Sequence, residues 1–113
     1  MKINQIAEII NGEILNKNLS EQEYFYAFAS DLMSDVLCQH RDDMLLISGL
    51  ATIQTIRTVE LSNIGCVIIA RGKKVSDEML ELACECGIDM IACESSMFEI
   101  SGKLYANGIK AIY

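Results

Sequence analysis

No proline and no tryptophan occurs in the 113 residues, and the chain carries a single histidine, His40. Without proline, no proline-rich linker divides the chain. With one histidine, no serine, cysteine or threonine has an identifiable base beyond His40, so nucleophilic catalysis finds no support. Cys38 and His40 form a C-x-H pair that supplies too few ligands for zinc, and His40 reads as a surface residue. The motif G-x-x-x-x-G-K-[ST] is missing, and with it the lysine that reaches terminal phosphates; G-x-G-x-x-G is missing too. No window approaches the roughly twenty consecutive apolar residues of a bilayer span. Glu8 falls inside what would be the apolar region of a secretion signal. No membrane contact and a cytoplasmic location are therefore expected.

Basic residues are scarce, nine Lys and Arg against sixteen Asp and Glu, and the formal charge of −7 repels polyanions at long range. Nucleic acid is not an expected partner. Five cysteines cannot all pair within one chain, and 51% hydrophobic residues allow a core that needs no staples, so they read as reduced thiols. That apolar share, with 22% charged residues, argues for a folded chain. The length suits one domain, residues 1–113.

What is present is a regular alternation. "KINQIAEIIN" sets Ile3, Ile6, Ile9 and Ile10 on one helical stripe that Asn11 and Gly12 stop. "GEILN" predicts a short edge strand and "NKNLSEQE" a loop; "YFYAFA" predicts a strand, although Ser20 and Glu23 also fit a capping box. Ser30 suits the cap of a helix burying Leu32, Met33, Val36 and Leu37. Three strand-then-helix units follow, with strands "MLLIS", "CVIIA" and "DMIAC" and helices opening at Thr52, at Ser76 and at Ser95 or Ser96. A repeat of about 22 residues is what right-handed βαβ crossovers need. Gly65, Gly87 and Gly108 follow helices where left-handed backbone is useful, and "IKAIY" reads as a last edge strand. The expected fold is α/β, three layers α/β/α around a mostly parallel sheet mixed at its edges.

Two loops could carry binding chemistry. Gly49 and Thr52 lie between an apolar strand and a helix start, where free N–H groups and the dipole favour anions; the plainer reading is a corner and a cap. "ARGKKVSDE" gathers Arg71, Lys73 and Lys74 at another strand-to-helix junction, where Gly72 permits close approach and Arg71 offers a fork to phosphate or carboxylate. Against this, Asp77 and Glu78 already suit that helix start, leaving a solvated loop as the plainer reading. "SDLMSD" puts Asp31, Ser34 and Asp35 on one helical face, a possible Mg²⁺ pair but more simply acids in a first turn. Cys84 and Cys86, two apart on a helix, point about 200° from each other and read as packing residues.

The pieces "SDLMSDVL", "SGL" followed by "TIRTVE", "RGK" leading into "ELACECGI", and "MFEISGKLY" together resemble the DRTGG domain family in its short stand-alone form. The five-letter string itself is absent, with "ARG" in its place. The family is similar to the N-terminal domain of HPr kinase/phosphorylase, and related modules accompany CBS pairs in some pyrophosphatases. The resemblance implies an accessory, regulatory role and self-association without kinase chemistry. It also hints at neighbours among anaerobic redox and sensory ATPase systems. The expected function is a non-catalytic module, without cofactor or metal, that binds a small anionic metabolite or nucleotide at Ser30, Asp31, Gly49, Thr52, Arg71, Gly72 and Lys73. It would act on a protein partner, as a homodimer. The alternative is a ligand-free homodimeric adaptor.

Overall fold

Strand residues that point alternately to two apolar layers set the architecture. The computed structural model describes residues 1–19, 21–39 and 41–113. In chain order the elements are α1 (Ile3–Ile10), β1 (Glu13–Asn16), β2 (Tyr26–Ala29), α2 (Met33–Val36), β3 (Met44–Ser48) and α3 (Ile53–Leu61). After these come β4 (Cys66–Ile69), α4 (Asp77–Cys86), β5 (Asp89–Ala92), α5 (Met97–Ala106) and β6 (Lys110–Ala111). The sheet order is β1-β5-β4-β3-β2-β6, parallel throughout except that β1 runs antiparallel to β5. This is the expected three-layer α/β/α arrangement, mixed at one edge.

Alternation decides which layer each side chain joins. Leu45, Ile47, Cys66, Ile68 and Ile91 pack under α1 and α5 with Ile6, Ile10, Ile100 and Leu104. Met44, Leu46, Val67, Ile69 and Met90 face the other way, against Val36, Ile56, Val59, Met79 and Ala83 of α2, α3 and α4. Truncating one such fully buried aliphatic side chain to alanine costs about 2–5 kcal/mol. Three helices begin as their sequences dictate: Thr52, Ser76 and Ser96 are extended, and their hydroxyls accept from the N–H groups of Thr55, Met79 and Glu99 at 3.4, 3.2 and 3.1 Å.

Several local expectations are corrected. The helix expected from Ser30 is one turn, capped by Leu32, and only Met33 and Val36 of its four apolar residues are buried; Leu32 and Leu37 are exposed. The Ser30 hydroxyl instead accepts from the Leu32 N–H at 3.0 Å, closing a local turn that competes with helix. After α3 the left-handed residue is Asn63, at φ 57°, and not Gly65. Gly65 is small for a different reason: a Cβ there would sit 2.9 Å from the Asp42 carbonyl and from the Tyr24 ring. Cys84 is exposed and does not pack, because the buried stripe of α4 runs through Met79 and Ala83. The capping box of Ser20 and Glu23 and the surface position of His40 lie outside the described residues. Among the described residues no helix is long and apolar enough to cross a membrane.

Candidate functional site

Parallel pairing brings the carboxyl ends of β2, β3, β4 and β5 to one rim of the sheet, which is where open α/β sheets hold ligands. The ladder continues past the strands: the Ser30 N–H donates to the Ile47 carbonyl at 3.0 Å and the Ala70 N–H to that of Ser48 at 2.8 Å. Three strand exits are thereby fixed side by side, carrying Asp31, Ser48 with Gly49, and Arg71.

Beyond β4 the chain reverses through Ala70, Arg71, Gly72 and Lys73. Arg71 and Gly72 are both left-handed, at φ 63° and 65°, and the Lys73 N–H reaches the Ala70 carbonyl at 3.4 Å, which is the pattern of a type I′ turn. Glycine adopts this conformation freely; an arginine there carries about 1–2 kcal/mol of strain. Two hydrogen bonds to the loop after β5 hold it, from the Arg71 N–H to the Ser95 carbonyl at 2.9 Å and from the Gly72 N–H to that of Cys93 at 3.0 Å.

The strained turn aims the arginine across the rim. Arg71 Nη2 donates to Asp31 Oδ2 at 3.0 Å, and the guanidinium lies over Gly49 so closely that a Cβ on Gly49 would overlap it. The other carboxylate oxygen, Asp31 Oδ1, accepts from the Gly49 N–H at 2.6 Å and the Ser48 hydroxyl at 3.1 Å. Burial pushes the Asp31 carboxyl up, but the Gly49 N–H, the Ser48 hydroxyl and Arg71 together outweigh it and hold the group below its ordinary value. The corner is open to water, with the Asp31 and Arg71 side chains 40% and 46% exposed.

The candidate residues thus divide. Asp31, Gly49 and Arg71 meet directly, and Gly72 sits in the turn that directs Arg71. Lys73 stands exposed beside them and makes no ion pair among the described residues. Thr52 spends its hydroxyl on the α3 cap and on Thr55 Oγ1, at 3.2 Å. Ser30 shapes the loop that presents Asp31. Sequence reasoning missed Ser48, fully buried at the end of an apolar strand; its one visible signal is a hydroxyl closing the run "MLLIS" immediately before Gly49. Chemically, a backbone N–H, a hydroxyl and a guanidinium directed at one point recognise an oxyanion.

No protein-family profile matches the chain, and no curated protein matches it in sequence. A solved structure does. The CBS and DRTGG domains of the regulatory region of Clostridium perfringens pyrophosphatase, complexed with the activator diadenosine tetraphosphate, superpose with a TM-score of 0.77 at 17% identity. The match covers 90% of this chain and 45% of that one. The likeness is one of fold.

Within this fold a second polar cluster occupies the opposite rim of the sheet. The Tyr24 hydroxyl, fully buried, donates to Asp89 Oδ2 at 2.7 Å and lies 3.0 Å from the Gly65 carbonyl. Asp89 Oδ1 accepts from the Asn18 N–H at 2.6 Å. Burial first, and the neighbouring Cys66 and Asp89 after it, push the Tyr24 hydroxyl far up, so it stays protonated and donating. These partners bind the loop after β1 to the entries of β4 and β5.

Proposed function

We propose that this chain is a non-catalytic regulatory module of DRTGG type that senses a small anionic metabolite, of nucleotide class, and acts as a homodimer on a protein partner in the cytoplasm. The observation that carries the reading is the convergence of Arg71, the Gly49 N–H and the Ser48 hydroxyl on the Asp31 carboxylate. Such a constellation suits a phosphate equally well: an incoming phosphate would take the carboxylate's place against Arg71 and Gly49, with Lys73 adding charge and Ser30 and Thr52 framing the rim. The pyrophosphatase regulatory region of similar fold is complexed with a nucleotide activator, which supports the ligand class. Similarity to the N-terminal domain of HPr kinase/phosphorylase belongs to the same reading. Output would come from population shift, the ligand favouring one arrangement of the dimer or partner complex by its difference in affinity for the two.

Calorimetry and thermal-shift titration against a nucleotide panel test it. Saturable binding should stabilise the fold by about 2.7 kcal/mol at a hundredfold excess over the dissociation constant. Arg71→Ala combined with Lys73→Ala should abolish that gain. Absence of stabilisation by every nucleotide tried rejects the sensor. The adaptor reading draws its own support from aromatic side chains exposed on α5, and it requires partner binding to survive the double substitution.

A further inference from the structure

The outer face of α5 carries two large side chains left open by the described residues. Phe98 is 89% exposed and Tyr105 is 72% exposed. They lie seven residues apart, two turns of helix, and therefore share one stripe with Ser101 and Gly102 between them. A glycine in the middle of a helix is about 1 kcal/mol less favourable than alanine. The packing within the chain does not ask for it, since a Cβ at Gly102 would meet nothing within 4 Å. Beside the stripe runs a groove of about 190 Å³ between α5 and the β2–β6 edge, bordered by Ala27, Ala29, Leu104, Tyr105 and Ile109. That is the scale of one aromatic ring, as a cavity of about 150 Å³ accommodates benzene.

We infer that this face is a self-complementary docking surface for a second copy of the chain, with the two α5 helices crossing antiparallel over Gly102. A two-fold axis between Ser101 and Gly102 leaves Phe98 and Tyr105 equidistant from it, so each Phe98 meets Tyr105 of the other copy beside the groove. Self-complementarity of this kind is what an isologous interface requires. The missing side chain at Gly102 lets the backbones approach at the crossing. Charge agrees: Glu99 and Lys103, paired at 3.0 Å within one helix, flank the stripe so that each Glu99 comes beside Lys103 of the other copy. At these exposures the two rings offer roughly 300 Å² per copy. That is over a third of the roughly 800 Å² per partner of a standard interface, and the groove walls adjoin it.

This deepens the homodimer part of the proposed function and is independent of the anion corner. Sedimentation velocity on the full chain tests it, with Phe98→Asp and Gly102→Arg as variants. Both positions face solvent, so circular dichroism, and Tm at dilutions where wild type is monomeric, should stay close to wild type. The wild-type chain should sediment at twice the chain mass and dissociate on dilution, and each variant should weaken the dimer about thirtyfold or more. A dimer undiminished in both variants overturns the α5 interface while leaving a homodimer through another face. A wild-type chain that stays monomeric throughout the micromolar range overturns both. Nucleotide titration of Phe98→Asp should still show saturable binding that Arg71→Ala removes, with an affinity shifted only as far as ligand and dimer are coupled, which keeps the sensor reading separate from either result.

Discussion

Arg71 rests its guanidinium on the bare Cα of Gly49, and the space it fills is the space a Cβ would take. Gly49→Ala should therefore expel the arginine from the rim and break its bond to Asp31. Because that ion pair is half exposed, stability should change by under about 1 kcal/mol. Nucleotide or inorganic phosphate affinity, measured by calorimetry, should fall about tenfold, the loss of one charge-assisted contact. Unchanged affinity would remove Arg71 from the site.

The left-handed backbone of Arg71 separates its conformational role from its chemical one. Arg71→Gly relieves the strain while loosening the unfolded chain, so its unfolding free energy should lie within about 1 kcal/mol of wild type. Arg71→Val places a β-branched residue at φ 63° and should cost more than 1–2 kcal/mol, roughly. Both should weaken phosphate binding about tenfold or more, since each deletes the guanidinium contact. If the valine variant proves as stable as the glycine one, the type I′ turn is not held as described.

Tyr24 and Asp89 form a buried polar contact between distant parts of the chain. Tyr24→Phe deprives Asp89 and the Gly65 carbonyl of a donor and should cost about 1–3 kcal/mol. Each kcal/mol should appear as a Tm loss of roughly 3–6 °C in a domain of this size. A double-mutant cycle with Asp89→Ala should be clearly non-additive, because the second substitution removes the acceptor that the first left bare. Additive losses would mean that the 2.7 Å contact contributes nothing of its own.

Cys86 on α4 gives a pH dependence with a definite sign. Burial, then the hydrogen bond from its Sγ to Glu60 Oε2 at 2.5 Å and the charge of Glu60, push its pKa up to about 11. A thiol raised in the folded state contributes stability that is intact below its unfolded value, near 9, and is lost as pH rises through about 11. Stability should thus decline across that alkaline window, where the buried Cys66 thiol, also pushed up, acts in the same sense, and Cys86→Ser should make the decline shallower without abolishing it. At neutral pH, mass-resolved alkylation should modify exposed Cys84 ahead of Cys86. Equal rates at the two thiols would contradict the Glu60 contact.

Much of this molecule was written locally. The apolar runs at residues 44–48, 66–69 and 89–92 and the caps at Thr52, Ser76 and Ser96 follow from signals a few residues long, and their spacing implies parallel crossovers and hence the three-layer fold. The "SDLMSD" segment has the hydrophobic spacing of a longer helix but forms a single turn, because Ser30 bonds to its own backbone and Asp31 to the exit of β3. Tertiary structure alone decided which polar groups meet. Asp31, Gly49 and Arg71 come together only because β2, β3 and β4 are neighbours in the sheet, and Tyr24 finds Asp89 across 65 residues of chain. A pattern of burial along one strand carries no record of the strand beside it, so contacts between strand exits exist only once the sheet order is set.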